Sequence, residues 1–251
     1  MLKGKTAVVT GGSRGIGKAI CLKFAENGAD IAFLYAGNTV KAEETVKELE
    51  GLGVKAKAYQ CNVADADAVA AVIKEIVKDF GGIQILVNNA GITKDKLVPM
   101  MKAADFDAVI DTNLKGAFYM TKGVYPLFLK QKGGKIINIA SISGCVAFVD
   151  QSIYCAAKGG VVNMTRELGV ELAPFGINVN AICPSVVDTP LFIDINSPLE
   201  GKFLQDCIDG HPIGRISTPD DIAGPAVFLA SDDASFICGH ILMVDGGWTA
   251  K

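Results

Sequence analysis

Along this chain, short apolar runs alternate with longer segments whose apolar positions recur every three or four residues. Short runs bounded by turn residues read as buried strands, and the periodic segments read as helices. Lys5 to Thr10, centred on Thr6-Ala7-Val8-Val9, predicts a first strand, and Ile20, Phe24 and Ala25 mark a helix after it. Asp30 to Tyr35 predicts a second strand, followed by a charged helix over 39–51 with Val40, Val46 and Leu49 as its apolar points. Lys55 to Cys61 reads as the third strand, Ala64 to Phe80 as a helix with Val69, Val72, Ile73, Ile76 and Val77 inward, and Ile83 to Val87 as the fourth strand. Phe106 to Lys130 reads as one long helix, which Pro126 kinks or divides. Ile136 to Ala140 is the fifth strand, and the helix after it ends near Leu172, where Pro174-Phe175-Gly176 stops it. Ile177 to Ile182 is the sixth strand. Pro184 to Ser217 carries Pro184, Pro190, Pro198 and Pro212 and reads as irregular; a loop of that length inside a compact domain is usually functional. Residues 219 to 230 return to helix, and Ile241 to Val244 forms a seventh strand ending in Asp245-Gly246-Gly247.

Strands alternating with helices of this length imply a doubly wound, seven-stranded parallel sheet with helices on both faces, an α/β fold in one domain over 1–251. In such sheets ligands bind beyond the carboxyl ends of the strands. The chemistry-bearing residues are therefore expected just after each apolar run.

Composition narrows the classes. The 251 residues are 50% hydrophobic, enough for a sizeable core, and the net charge of −3 argues against a nucleic-acid partner. No apolar run approaches the ~18 residues needed to span a bilayer. The start, Met1-Leu2-Lys3-Gly4-Lys5, lacks the apolar core of a secretory leader. Seven cysteines at scattered positions, with no C-x-x-C pair, suit reduced thiols in the cytoplasm. With only His211 and His240, a histidine-rich metal centre is not expected, and no G-x-S-x-G elbow supports a serine hydrolase.

After the first strand comes Gly11-Gly12-Ser13-Arg14-Gly15-Ile16-Gly17, then a helix. Glycines let backbone approach a pyrophosphate, and the helix end offers free N–H groups and a positive dipole. Dinucleotide sites that take NAD place an acid at the end of the second strand, for the ribose 2′-hydroxyl. Here that end reads Tyr35-Ala36-Gly37-Asn38, with no acid, while the glycine turn carries Arg14. Both features favour a 2′-phosphate, hence NADP(H).

Tyr154-Cys155-Ala156-Ala157-Lys158 places a phenol and an ammonium one helical turn apart on one face. Taken alone, such a pair is common on helix faces. A lysine cation beside a phenol is expected to lower its pKa and fit it to exchange a proton with a carbonyl or alcohol oxygen.

Together, Thr10-Gly11-x3-Gly15-x-Gly17, Asn88-Asn89-Ala90-Gly91, Asn113, Ser141, Tyr154-x3-Lys158 and Val244-Asp245-Gly246-Gly247 resemble the short-chain dehydrogenase/reductase family in order and spacing, over nearly the whole chain. Ala90 to Asp95, Leu114-Lys115-Gly116 and Tyr35 to Asn38 resemble the 3-oxoacyl-[acyl-carrier-protein] reductase branch. The resemblance implies a Rossmann fold. It also implies roles: Tyr154 as general acid in reduction, Lys158 lowering its pKa and holding the nicotinamide ribose, Ser141 hydrogen-bonding the substrate oxygen, and Asn113 positioning a water that links Lys158 to solvent. The cofactor set it implies is Gly11, Ser13, Arg14, Gly15, Ile16, Gly17, Asn38, Asn62, Val63, Asn89, Ala90, Gly91, Pro184, Val187 and Thr189, with Tyr154 and Lys158; no metal is implied.

The chain departs from the family pattern in places. Pro184-Ser185 stands where the family usually has Pro-Gly, Phe175 where carrier-protein reductases often have a cation, and the 187–212 segment is longer. Lys130, Lys132 and Lys135 remain as cations for an acidic carrier protein. A sugar, polyol or hydroxysteroid dehydrogenase is the alternative enzyme, and a non-catalytic NADP(H) sensor the alternative class. A homotetramer is expected from the resemblance. It is supported by the apolar strand Ile241 to Val244 and by Val161, Val162, Thr165, Leu168 and Leu172, which suggest more than one apolar helix face.

Overall fold

The computed structural model describes residues 1–192 and 202–250. Seven strands, β1 (Thr6–Thr10), β2 (Asp30–Tyr35), β3 (Ala56–Gln60), β4 (Ile85–Asn88), β5 (Gly134–Ile139), β6 (Ile177–Pro184) and β7 (Ile241–Val244), form one parallel sheet in the order β3-β2-β1-β4-β5-β6-β7. Parallel strands need crossovers, and here helices supply them: α1 (Gly15–Glu26), α2 (Thr39–Gly51), α3 (Ala66–Phe80), α4 (Ala103–Ile110), α5 (Gly116–Gln131), α6 (Ser152–Leu172), α7 (Lys202–Gly210) and α8 (Pro219–Ala230).

Side-chain alternation sorts the two faces. Ala7 and Val9 of β1, Ile31 and Phe33 of β2, and Ile137 and Ile139 of β5 pack with α1, α2 and α8. Val8, Ala32, Leu34 and Ile136 point the other way, against α3, α5 and α6. Both faces are buried, which is why the strands read as near-continuous apolar runs. The strand order reverses between β1 and β4, which opens a crevice at the carboxyl edge.

Three expectations are corrected. The helical run expected over Phe106 to Lys130 begins at Ala103, and its irregularity is not at Pro126 but in a π-turn over Asp111–Lys115 that joins α4 to α5. Pro126 stays inside α5 because it lies on the exposed face, where the carbonyl it leaves unpaired meets solvent. The segment read as irregular from Pro184 to Ser217 holds the end of β6, a parallel bridge between Val187 and Ser217, and α7. Helix α7 has Phe203, Leu204 and Cys207 at helical spacing, a signal hidden by its shortness and the surrounding prolines; Pro198 lies outside the described residues. Val161, Val162, Thr165, Leu168 and Leu172 are all buried within the subunit, on a broad stripe that meets β6 and its neighbours, so they do not demand a second partner.

Candidate active site

The turn after β1 is built by close approach. Gly11 has φ of +69°, a left-handed conformation that favours glycine. A Cβ on Gly17 would lie 2.2 Å from the Gly11 carbonyl oxygen and 2.5 Å from Asn89 Nδ2, so only glycine lets α1 start this near the turn. Gly17 therefore shapes the cradle from behind and, alone of the expected cofactor residues, does not line the cleft. Thr10 Oγ1 accepts hydrogen bonds from the backbone N–H groups of Asn89 and Ala90, each at 2.9 Å, and Asn89 Nδ2 donates to the Thr10 carbonyl at 2.9 Å. These bonds lock the ends of β1 and β4 together at the switch point.

Below them runs a buried polar ladder. Asn88 Nδ2 donates to Asn138 Oδ1 at 2.9 Å, and Asn138 Nδ2 donates to Thr165 Oγ1 at 2.9 Å, linking β4, β5 and α6. In a low-dielectric interior such a chain is directional, so it holds the strand ends in register.

The cleft above these ends has a volume of about 1000 Å³. Ser13, Arg14, Gly15 and Ile16 line it from the glycine turn, Asn38 from the end of β2, Asn62 and Val63 from the end of β3, and Asn89, Ala90 and Gly91 from the end of β4. Pro184 at the end of β6, with Val187 and Thr189 beyond it, closes it. No acidic residue occupies the first turn of α1, so its N-terminal dipole is left for an external anion. The N–H groups, the left-handed glycines and the size of the cleft fit a dinucleotide; bound there, the nicotinamide would supply the hydride chemistry.

Ser141 follows β5 and caps a short turn over Ile142–Gly144, its Oγ accepting the Ser143 N–H at 3.1 Å. Tyr154 sits in the first turn of α6 and Lys158 one turn later, with Lys158 Nζ 5.7 Å from the centre of the Tyr154 ring. Lys158 is 4% exposed and donates from Nζ to the Ile139 carbonyl at 2.7 Å. Burial pulls its pKa down to about 8. Burial also pushes the Tyr154 phenol up, and the nearby Ser141 hydroxyl offsets this only in part. This reverses the expected lowering. Desolvation penalises the phenolate, and the neighbouring cation is itself desolvated and tied to a carbonyl. Tyr154 is thus a protonated acid at neutral pH.

Asn113 lies in the π-turn, and its side chain pairs with the backbone of Ile92: Oδ1 accepts the N–H at 2.8 Å and Nδ2 donates to the carbonyl at 2.9 Å. The residue pins the loop after β4 and does not line the cleft.

Several cleft residues were not anticipated. Ser143 Oγ donates to Gln151 Oε1 at 2.9 Å, Gln151 Nε2 donates to Asp95 Oδ2 at 3.0 Å, and Thr93 Oγ1 donates to the other Asp95 oxygen. Burial raises the Asp95 pKa, while those bonds oppose the shift. Aromatic walls come from Phe148 against Trp248, with ring centres 6.0 Å apart, and Phe192 against Phe203 at 5.8 Å. Only the phenylalanine and tryptophan spacing was available in sequence, and it has no period that marks a shared wall. Lys132 and Lys135 bracket the start of β5 and Lys130 lies in the last turn of α5, so these cations lie at the amino edge of the sheet, opposite the cleft. Lys135 also spends its ammonium on Asn178 Oδ1 at 2.7 Å. In their own subunit they cannot serve as a docking patch at the cleft mouth.

Comparison with known proteins agrees with this geometry. A family model described as enoyl-(acyl carrier protein) reductase matches residues 11–249. The 3-oxoacyl-[acyl-carrier-protein] reductase FabG of Staphylococcus aureus (strain Mu50 / ATCC 700699) is 44% identical over 243 residues, covering 97% of each chain. The protein of the same name from Thermotoga maritima is 41% identical over 248 residues, covering 98% of each. Among solved structures, a chain described as a short-chain alcohol dehydrogenase from Sinorhizobium meliloti 1021 superposes with a TM-score of 0.95 at 35% identity, over 100% of this chain and 98% of that one. A short-chain type dehydrogenase/reductase from Mycobacterium marinum gives 0.94 at 33% identity, over 100% and 97%. With the glycine cradle at the switch point and Ser141, Tyr154 and Lys158 gathered at one end of the cleft, the chain belongs to the short-chain dehydrogenase/reductase family and is an oxidoreductase of CH–OH and C=O groups that uses a nicotinamide cofactor.

Proposed function

We propose that the chain is an NADP(H)-dependent reductase of 3-oxoacyl thioesters carried on acyl carrier protein. The observation that carries the chemistry is the placement of Tyr154, Ser141 and Lys158 together in one cleft; the names of the relatives carry the substrate. In reduction, Tyr154 holds the proton for the carbonyl oxygen, and Ser141 hydrogen-bonds that oxygen as charge develops on it. Lys158 holds the nicotinamide ribose. Asn113, whose side-chain amide is paired with the Ile92 backbone, fixes the turn at which a water for proton resupply would be held.

The family model's description concerns C=C reduction and the relatives' names C=O reduction. NADPH consumption with acetoacetyl and crotonyl thioesters separates the two: turnover of the first and not the second is expected. The aromatic walls favour one other reading, a dehydrogenase of sugars, polyols or hydroxysteroids, and turnover of those alone would replace the thioester assignment. Tight cofactor binding with no turnover at all would mean a sensor. The cysteines are all free, which fits a reducing cytoplasm.

Preference for NADPH rests on Arg14 at the cleft wall and on the acid-free stretch Tyr35 to Asn38 opposite it. A charge-assisted phosphate contact is worth about 1.5–3 kcal/mol, so Arg14→Ala should raise KM for NADPH roughly tenfold or more and leave NADH nearly unchanged. Steady-state kinetics with both cofactors check this, and equal use of the two by the unaltered enzyme would sink it.

A homotetramer is part of the proposal. Val170 on α6 is 79% exposed, Phe118 on α5 is 44% exposed, and Phe236 beside the edge strand β7 is fully exposed. Apolar side chains on both long helices and at a sheet edge fit two separate interfaces. Light scattering at micromolar concentration should give the mass of four chains. A mass near one chain would refute the assembly, and a mass near two would leave one interface.

A further inference from the structure

Gln151 stands at the N-cap of α6, and its side chain makes no capping bond there. A polar side chain at that position ordinarily takes a free N–H of the first turn. Here the amide is spent on two other segments: Oε1 accepts the Ser143 hydroxyl at 2.9 Å, and Nε2 donates to Asp95 Oδ2 at 3.0 Å. The directions follow from the groups themselves. Thr93 Oγ1 donates to Asp95 Oδ1, and a carboxylate only accepts, so the NH2 end of Gln151 faces Asp95 and its oxygen faces Ser143. A second tie runs beside the first. The Lys96 N–H donates to the Asp150 carbonyl at 2.9 Å, and Asp150 holds a left-handed φ of +64°, uncommon for a residue with a Cβ. Such a conformation persists where the surroundings fix it.

These bonds join the two segments that carry Ser141 and Tyr154. Ser141 Oγ accepts the Ser143 N–H at 3.1 Å, and the Ser143 hydroxyl is the one that Gln151 holds. The Gln151 carbonyl accepts the Cys155 N–H at 2.7 Å, which closes the turn of α6 containing Tyr154. Along the chain, Ser143 and Gln151 are separated by a surface loop in which Cys145, Val146, Ala147, Val149 and Asp150 are exposed. The Gln151 amide closes the base of that loop. Gly144 fixes the far side of the Ser141 turn, where a Cβ would lie 2.7 Å from the Lys158 carbonyl oxygen. Gln151 fixes the side that faces the cleft, which it lines together with Ser143 and Asp95.

We propose that Gln151 is a positioning residue for carbonyl reduction: its side-chain amide, anchored on Asp95, holds the turn of Ser141 against the first turn of α6, so that the Ser141 and Tyr154 hydroxyls converge on one substrate oxygen. This rests on the reading of Ser141 and Tyr154 as the groups that meet that oxygen. Gln151 acts through them, so its loss leaves the cofactor contacts in place and misplaces the two hydroxyls. A misplacement of about 1 Å costs about a hundredfold in rate. An interaction realised only in the transition state lowers kcat and leaves KM alone.

The test is steady-state reduction by NADPH of an acetoacetyl thioester, or of the sugar or steroid ketone that replaces it, with a thermal melt of every variant. Gln151→Leu keeps the bulk and loses both bonds; kcat should fall about ten- to a hundredfold, with KM for ketone and NADPH within about twofold and the melt unchanged. Gln151→Glu should lose at least as much, because it sets a second carboxylate against Asp95. Adding Asp95→Asn to Gln151→Glu reverses the pair. The amide now stands on the other side and donates, Ser143 still finds an acceptor, and kcat should return to within about threefold of the unaltered enzyme. A residue needed only for folding would lower the melting point and show no such reversal. Unchanged kcat in Gln151→Leu, a loss carried by KM, or a double variant no better than Gln151→Glu would overturn the assignment; if Gln151→Leu does not fold, the Gln151→Glu comparison decides. Tyr154→Phe tells this inference from the reading beneath it. Unaltered kcat there removes that reading, whereas a lost kcat there beside an unchanged one in Gln151→Leu overturns the positioning role alone. No turnover of any ketone by the unaltered enzyme would overturn both.

Discussion

Tyr154→Phe is expected to lower kcat for ketone reduction by about a hundred- to ten-thousand-fold, the range contributed by a positioned general acid. The substitution removes one hydroxyl and leaves the ring, so the first turn of α6 and the contact with Lys158 keep their shape. Nicotinamide affinity should change by less than about twofold, because phosphate binding belongs to the glycine turn at the other end of the cleft. The direction of the reaction sharpens the test. Burial keeps the phenol protonated, which suits reduction at neutral pH, whereas alcohol oxidation needs the phenolate and should accelerate as pH rises. Stopped-flow turnover with a parallel binding titration measures both quantities. A Phe variant with unaltered kcat would show that the proton comes from elsewhere.

The second large effect concerns Lys158. Lys158→Ala should weaken cofactor binding and turnover together, since the ammonium proposed to hold the ribose also lies against the Tyr154 ring and helps to place it. The folded enzyme holds this lysine at about 8 against an ordinary value of 10.5. Between those values the unfolded chain binds more protons than the folded one, so unfolding free energy should rise as pH climbs from about 8 towards 10.5. Below about 8 both states are charged, and the desolvation penalty is constant. Chemical denaturation across that window should show the rise in the natural protein and a flatter line in Lys158→Ala. In the free enzyme, kcat/KM for the cofactor should fall above about pH 8, as the cation is lost. Unchanged nicotinamide affinity in the variant would contradict the shared role.

Much of the site was legible because its parts are local. A strand, a glycine turn and a helix start are contiguous, and the i,i+4 spacing of Tyr154 and Lys158 holds on any helix. Asn89, Ala90, Gly91 and Ser141 follow strand ends, and topology carries strand ends to one edge. What was misread depends on surroundings. Pro126 breaks helices by rule, yet it is tolerated where the freed carbonyl is solvated. The direction of the Tyr154 shift turned on desolvation, which no spacing encodes.

The sequence by itself determined the alternation of strands and helices, the glycine cradle, the pairing of phenol and ammonium, and the absence of an acid after β2. Each of these is set by backbone sterics or by residues within a turn or two of one another. Only the tertiary structure decided which groups water can reach and which distant residues meet. Lys158 finds the Ile139 carbonyl across 19 residues, and Ser185 finds His211 across 26. Both contacts form where α6 and α7 come to rest against the carboxyl edge of the sheet. Such contacts arise from packing two faces of a sheet at once, and a one-dimensional pattern carries the period of each face but not the pairing between them.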